Sequence, residues 1–169
     1  PSLKFDYYLE MLRSLKAVDS KLQLKCFTAI EILHLAWLAK KSAEETLREL
    51  KDAGLDSLTG GGAEIFRKEV RAKIAVGKES AEEYLDVHRT WHRLGGRSTC
   101  TMLFGHVESL EDRVHHLGLL RGLQDETGGF QTFIPLAYPP ENNSLGKLPG
   151  PTGVDDLRTY AVARLMLHN

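Results

Sequence analysis

The tightest constraint in this sequence is a rhythm: four short apolar runs, beginning near Leu22, Leu55, Ser98 and Phe130, are each followed by a segment with helical spacing. Strands that alternate with helices make βαβ units, and their right-handed crossovers lay the strands parallel in one curved sheet. A helix comes first, because Phe5, Tyr8, Leu9, Leu12 and Leu15 recur at three- and four-residue spacing with no strand ahead of them. The 169 residues allow one sizeable core but fall short of the roughly 250 that a closed eight-stranded barrel uses. The expected fold is therefore α/β, a partial (β/α) barrel of about four parallel strands with intervening helices and open lateral edges.

Local signals punctuate this plan. Residues 22–27 alternate apolar and polar with period two, as a half-buried strand does, and a helix follows over 30–40. Ser42-Ala43-Glu44-Glu45 and Ser80-Ala81-Glu82-Glu83 read as capping boxes, Ser109 as a further N-cap, and Gly54, Gly95-Gly96 and Gly128-Gly129 as helix stops. Between them lie strands at 55–58, 98–104 and 130–136 and helical character over 63–74. Residues 137–153, with Pro139, Pro140, Pro149 and Pro151 and the polar run Asn142-Asn143-Ser144, form an irregular loop before a last helix over 154–167.

Charge narrows the partners. Lys and Arg total 22 against 23 Asp and Glu, a net charge of -1, so no global field recruits nucleic acid or an anionic membrane. The most apolar stretch, 29–39, is interrupted by Glu31 and His34 and cannot supply the ~20 apolar residues of a membrane span. Two cysteines, Cys26 and Cys100, make neither a disulfide framework nor a zinc site, which suits a reducing compartment and makes the cytoplasm the expected location. The chain starts at Pro1 and stops just after a strong helical pattern, so both ends read as cut from a longer protein.

In open parallel sheets ligands gather at the carboxyl ends of the strands. The residues there are Thr28 and Glu31; Thr59, Gly60, Gly61, Gly62 and Glu64; Gly105, His106 and Glu108; and Tyr138, Glu141 and Asn143. Without Cβ atoms the three glycines let backbone N–H groups approach a ligand closely, or simply make a tight turn. They form neither a P-loop nor a Gly-x-Gly-x-x-Gly loop, since Ile65 falls where the last glycine belongs. Glu64 could accept a ligand amine or complement a helix dipole. His106 and Glu108 read as a ligand contact or as a polar loop pair. His88 and His92 stand four apart on a helix, but Arg89 replaces the Glu of His-Glu-x-x-His, which leaves core or surface histidines as the reading. His115 and His116 point in different directions and make no chelate.

Four longer runs resemble a known family. Residues 54–65 (Gly-Leu-Asp-Ser-Leu-Thr-Gly-Gly-Gly-Ala-Glu-Ile), 27–32, 101–108 and 123–130 resemble, in the same order, blocks of the radical SAM enzymes of the futalosine menaquinone pathway and the deazaflavin (FO) synthase group. Within that group residues 133–142 are most similar to the aminofutalosine synthase branch. The resemblance implies a barrel of the radical SAM type, and a transferase that joins the adenosyl radical of S-adenosylmethionine to 3-[(1-carboxyvinyl)oxy]benzoate. The alternatives are the sister cyclase of the pathway, an FO synthase-like enzyme, or a non-catalytic S-adenosylmethionine-binding module; a generic phosphate-binding domain rests on the glycine loop alone.

Such enzymes hold a 4Fe-4S cluster on a Cys-x-x-x-Cys-x-x-Cys loop. No such loop occurs here, so the resemblance makes this chain a central fragment, with the cluster-binding part upstream and a further part downstream, and by itself unable to start the reaction. It implies cofactor contacts at Gly60, Gly61, Gly62 and Glu64, with Arg71 as partner of the methionine carboxylate. Thr101, Gly105 and Glu108 fall in a motif that backs the adenine, usually Gly-x-Ile-x-Gly-x-x-Glu, with Thr101 in place of the first Gly. Thr28, Glu31 and His106 are the expected substrate contacts, no residue is assigned to catalysis or to a metal, and the partner is a small molecule. The open sheet edges favour a homodimer or an exchange of elements.

Overall fold

The computed structural model describes residues 3–141, 145–146 and 148–167. Among the described residues seven helices, α1 (Phe5–Val18), α2 (Ala29–Ala39), α3 (Ala43–Asp52), α4 (Lys68–Ile74), α5 (Ala81–Arg93), α6 (Leu110–Thr127) and α7 (Gly153–Met166), surround the strands β1 (Ser57–Leu58), β2 (Arg97–Phe104) and β3 (Phe130–Ala137), with at least one helix between successive strands. The strands lie in the order β1-β2-β3 and every pair is parallel. This is the expected partial (β/α) barrel.

Its helices begin where their caps stand. Ser42, Ser80 and Ser109 accept hydrogen bonds from the amides of Glu45, Glu83 and Asp112, and the third-position carboxylate returns to the cap in each case. Thr152 and Asp155 make a further box at the start of α7. Each cap satisfies amides that the first turn leaves without partners, about 1 kcal/mol apiece.

Two expectations change. Residues 22–27 do not form a strand: Lys25 alone bridges Ser57, so the sheet has three strands among the described residues rather than about four. Leu24 O accepts from Ser57 and Cys26 donates to Ser57 O, but the pairing goes no further back, because Asp56 Oδ2 takes the Leu24 amide at 2.7 Å, in place of a strand carbonyl, together with the Lys16 ammonium at 2.6 Å. Phe27, at φ 63°, then ends the extended run. Likewise 63–67 is not helical. Leu103 donates its amide to Glu64 O at 3.0 Å, which keeps this segment beside β2 until α4 starts at Lys68.

The main core lies between the helices and the sheet, with Leu12, Ile32, Leu47, Leu50, Leu58, Tyr84, Trp91 and Leu120 fully buried. Gly96 fits under the Trp91 indole, where a β-carbon would stand 2.1 Å from Cε2, while Nε1 donates to Arg97 O at 2.7 Å. A smaller cluster of Ile65, Val70, Met102 and Phe104 sits under the β1–α4 connection. β3 is an edge strand, with Ile134 and Leu136 about two-fifths exposed (38% and 44%). Among the described residues no helix is long and apolar enough to cross a membrane.

Candidate functional site

The turn after β1 carries the glycine run and is tied to every element around it. Thr59 donates both its amide and its hydroxyl to Phe27 O, each at 3.0 Å. Gly60 donates its amide to Thr99 Oγ1 at 3.1 Å, and its carbonyl accepts from Thr101 Oγ1 at 2.7 Å and Tyr84 Oη at 2.9 Å. Gly61 faces Thr28, whose Cγ2 would lie 3.2 Å from a β-carbon there. Gly62 takes φ +94°, and a β-carbon on it would stand 2.8 Å from Glu79 Oε1.

Below this turn sits Arg71, 6% exposed. Its Nη1 donates to Ala63 O at 2.5 Å and its Nη2 to Glu79 O, with Gly62 O 3.3 Å from Nη1 and 3.4 Å from Nη2. The Glu79 carboxyl beside it is 4% exposed, and neither oxygen has a hydrogen-bond partner. Burial pushes this carboxyl above its ordinary value, against the pull of its own amide and of Arg71. Glu64, at φ 45°, pairs with Lys78 Nζ at 2.6 Å.

Leu103 joins this turn to the end of β2. Its amide donates to Glu64 O, and its carbonyl lies 3.0 Å from His106 Nε2. Val107 donates its amide toward His106 Nδ1 at 2.7 Å, and the same nitrogen lies 2.9 Å from Glu108 Oε2. Glu108 accepts from the amides of Gly105 at 2.6 Å and His106 at 2.9 Å, and from Arg113 Nε at 2.8 Å. Burial alone would raise the Glu108 carboxyl; the hydrogen bonds from His106 and from the Gly105 amide outweigh it and hold the group at about 2. Pro151 covers Gly105, its Cδ 2.5 Å from where a β-carbon would be.

The expected contacts thus fall into two groups. Thr28, Gly61, Gly62 and Glu64 share one rim, which Leu103 continues to Gly105; Gly60, with its amide and carbonyl bonded to β2 and Tyr84, and His106, its side chain buried and both ring nitrogens engaged, stand behind it. Arg71, Thr101 and Glu108 lie behind that rim with their polar atoms engaged by the chain itself. Glu31 is exposed, and its Oε2 accepts the amide and hydroxyl of Thr28, each at 2.7 Å, as a helix cap. Asn143 lies outside the described residues. Sequence reasoning passed over Tyr84, Thr99 and Glu79. Tyr84 could have been found, since it stands four residues before His88 on the buried face of α5; Glu79, in the charged run Lys78-Glu79-Ser80, carries no local sign of burial.

His88, His92 and His116 are core groups. His88 Nδ1 and His92 Nε2 meet the hydroxyl of Ser98 at 2.9 Å and 2.7 Å. His116 stacks on Phe66 at 3.9 Å and donates to Thr101 O. Cys100 is buried and its thiol is pushed up to about 12; Cys26 is raised by burial, then by Glu31 and Asp56. Iron–sulfur ligation needs thiolates, and among the described residues no three His, Cys, Asp or Glu side chains group to hold a metal. The donor set of this segment does not fit a 4Fe-4S cluster.

Residues 1–120 match the family model described as the Radical SAM superfamily. The chain is 52% identical to a Thermus thermophilus protein named aminodeoxyfutalosine synthase and 45% identical to one of that name from Streptomyces coelicolor, covering 100% of this chain and 46% of each relative. It is 41% identical, over 98% of its length and 46% of the relative, to a Methanopyrus kandleri protein named 5-amino-6-(D-ribitylamino)uracil--L-tyrosine 4-hydroxyphenyl transferase. The chain spans about half the length of the curated relatives it matches. With the family model covering well over half of the residues, the chain belongs to the radical SAM superfamily.

Proposed function

We propose that this segment forms the S-adenosylmethionine wall of an aminodeoxyfutalosine synthase, a radical SAM transferase of menaquinone biosynthesis acting on 3-[(1-carboxyvinyl)oxy]benzoate. The observation that carries this reading is the identity of 52% and 45% to two relatives of that name along the whole chain, against 41% to the tyrosine transferase.

The strand-end turn suits the amino-acid end of S-adenosylmethionine. Gly61 and Gly62 put no side chain between the backbone and a ligand, and the Thr28 methyl lies across from Gly61. When bound, S-adenosylmethionine supplies the adenosyl radical; this segment supplies orientation and exclusion of water. The Thr28 hydroxyl, which donates to Glu31, keeps lone pairs with which to accept from a ligand, and His106, buried with both ring nitrogens engaged by the chain, shapes the wall beside the substrate rather than donating to it. Glu31 and Glu108, whose oxygens already accept hydrogen bonds from the chain, act through Thr28 and through Gly105 and His106. The cluster lies outside what these residues can hold, and no step is routed through it.

Anaerobic reconstitution of the whole gene product, followed by mass spectrometry of the products, tests the reading. Aminofutalosine formed from S-adenosylmethionine and the enolpyruvyl benzoate supports it. A cyclised nucleoside product, or turnover only with tyrosine and the ribitylaminouracil, would replace it by a sister activity. Absence of a three-cysteine loop in the whole gene product would sink the catalytic assignment and leave the binding module.

A further inference from the structure

The turn after β1 is held from behind by groups that face no solvent. Gly62 O sits in the mouth of the Arg71 guanidinium, 3.3 Å from Nη1 and 3.4 Å from Nη2, while Nη1 also reaches Ala63 O and, at 3.4 Å, Ile65 O, and Nη2 reaches Glu79 O. A guanidinium binds a carboxylate through two parallel N–H groups on one face, and here the chain's own carbonyls occupy that face. Tyr84, fully buried, has its hydroxyl on Gly60 O, and Thr101, 7% exposed, donates to the same oxygen.

Peptide geometry turns this clamp into an orientation. A trans peptide is planar, so its N–H points opposite to its C=O. The carbonyls of Gly60, Gly62 and Ala63 are drawn toward Tyr84, Thr101 and Arg71. The amides of Gly61, Ala63 and Glu64, which belong to the same three peptide units, therefore point away from the clamp. Glycine at 62, with φ +94°, allows the required twist, and the backbone of β2 against Gly60 fixes where the turn begins.

We infer that Arg71, Tyr84 and Thr101 are positioning residues, which aim the Gly61 and Glu64 amides at the bound S-adenosylmethionine and do not themselves touch it. This rests on the function proposed above. It replaces a direct ion pair between Arg71 and the ligand by action through the backbone. The expense of burying a guanidinium and two hydroxyls is met by hydrogen bonds to one turn and its neighbour at Glu79, so their loss loosens that turn before it loosens the fold.

The test uses the whole gene product, purified anaerobically, and the variants Tyr84→Phe, Thr101→Val and Arg71→Lys. The first two remove one hydroxyl and keep the shape, so the proposal stays testable if the lysine variant fails to fold. Without ligand, hydrogen exchange in the peptide spanning residues 60–66 should quicken by about tenfold, the effect of losing roughly one hydrogen bond, while exchange in α6 stays unchanged. The dissociation constant for S-adenosylmethionine, by equilibrium dialysis, should rise about tenfold per single variant. Tyr84→Phe and Thr101→Val combined should raise it by less than the product, because both act on one carbonyl. Unchanged exchange in the turn with lost affinity would overturn the inference and make Arg71 a direct ligand. Quickened exchange with unchanged affinity would also overturn it. A wild-type protein that binds no S-adenosylmethionine defeats the functional reading itself, and shows before any variant is made.

Discussion

Gly60 and Cys100 meet backbone to backbone: a β-carbon on Gly60 would stand 2.6 Å from the Cys100 Cα, and equally close to Thr99 O. No side-chain rotation relieves a clash with main chain. Gly60→Ala therefore pushes the end of β1 off β2 and weakens the contacts of Gly60 with Thr99, Thr101 and Tyr84. The expected cost is about 1–3 kcal/mol, as for overpacking elsewhere. Urea denaturation checks it, and a midpoint equal to wild type would refute the close approach.

Ser98 organises a directed chain of hydrogen bonds through α5. Thr127 donates its hydroxyl to Leu123 O at 2.8 Å, so it accepts from His92 Nδ1 at 2.8 Å. That puts the hydrogen of His92 on Nδ1, leaves Nε2 to accept from Ser98, and makes Ser98 in turn accept from His88 Nδ1. Ser98→Ala strands one donor and one acceptor in the core. A loss of about 2–4 kcal/mol follows from the usual penalty for unsatisfied buried groups. A cost under about 0.5 kcal/mol, read by thermal and urea unfolding, would show that the rings do not share the hydroxyl.

The same rings set the acid response. Burial first, then neighbouring His92, holds His88 at about 3; burial first, then Arg97, holds His92 at about 4; burial holds His116 at about 3 against the Thr101 carbonyl. Each folded value lies below the ordinary 6.5, so the unfolded chain binds more protons and stability rises with pH. This contribution is complete above about pH 6.5 and is lost as the pH falls, by up to about 1.4 kcal/mol per unit for each ring. Glu108, held at about 2, adds its loss only below its ordinary 4.5. Unfolding midpoints that stay flat from about pH 7 to about pH 5 would contradict the neutral, buried rings.

What could be read in advance follows from how local each signal is. The boxes at Ser42, Ser80 and Ser109 depend on residues three apart, and the helices start there. The alternation at 22–27 is equally local, yet Leu22 is 42% exposed, and Asp56, distant in sequence, takes the amide that a strand partner would have. The turn at Gly60-Gly61-Gly62 was legible because three consecutive glycines after an apolar run mark a strand end where the backbone must turn tightly, as Gly62 does at φ +94°. Its clamp was not: Arg71 looks like any basic residue on a short helix until the turn folds over it, and the burial of Glu79 exists only once Gly62 arrives. Long-range approach, rather than composition, separates the rim from what stands behind it.

The β3 edge makes a prediction about association. Ile134 and Leu136 are exposed on this strand, and Leu157, Tyr160 and Leu165 are exposed on α7 beside it. An open edge flanked by apolar groups invites pairing with another chain. Expressed by itself, the segment 1–169 should elute from a sizing column as a dimer or larger species, and Ile134→Lys should shift it toward monomer. Monomeric elution of the unmodified segment would count against this use of the edge.

Glu108 and Arg113 tie the end of β2 to the last two helices. Arg113 reaches Glu108 Oε1 through Nε and Nη2, each at 2.8 Å, lies over the Phe104 ring at 5.1 Å, and donates through Nη1 to Thr159 of α7 at 3.0 Å. The carboxylate side chain is fully buried, so removing it leaves a guanidinium without its counter-charge in a site of low polarity, a change that costs about 3–5 kcal/mol in comparable pairs. Glu108→Gln should cost less than Glu108→Ala but still more than 1 kcal/mol on the same scale, because a carboxamide brings two donors to a place where Gly105, His106 and Arg113 already donate. Replacing both residues, Glu108→Gln with Arg113→Met, should recover part of the loss, since it removes the stranded charge together with its partner. A double-mutant cycle by urea denaturation reads the coupling. Additive losses would mean that Glu108 serves only the Gly105 and His106 amides and that Arg113 is held by Phe104 and Thr159 alone.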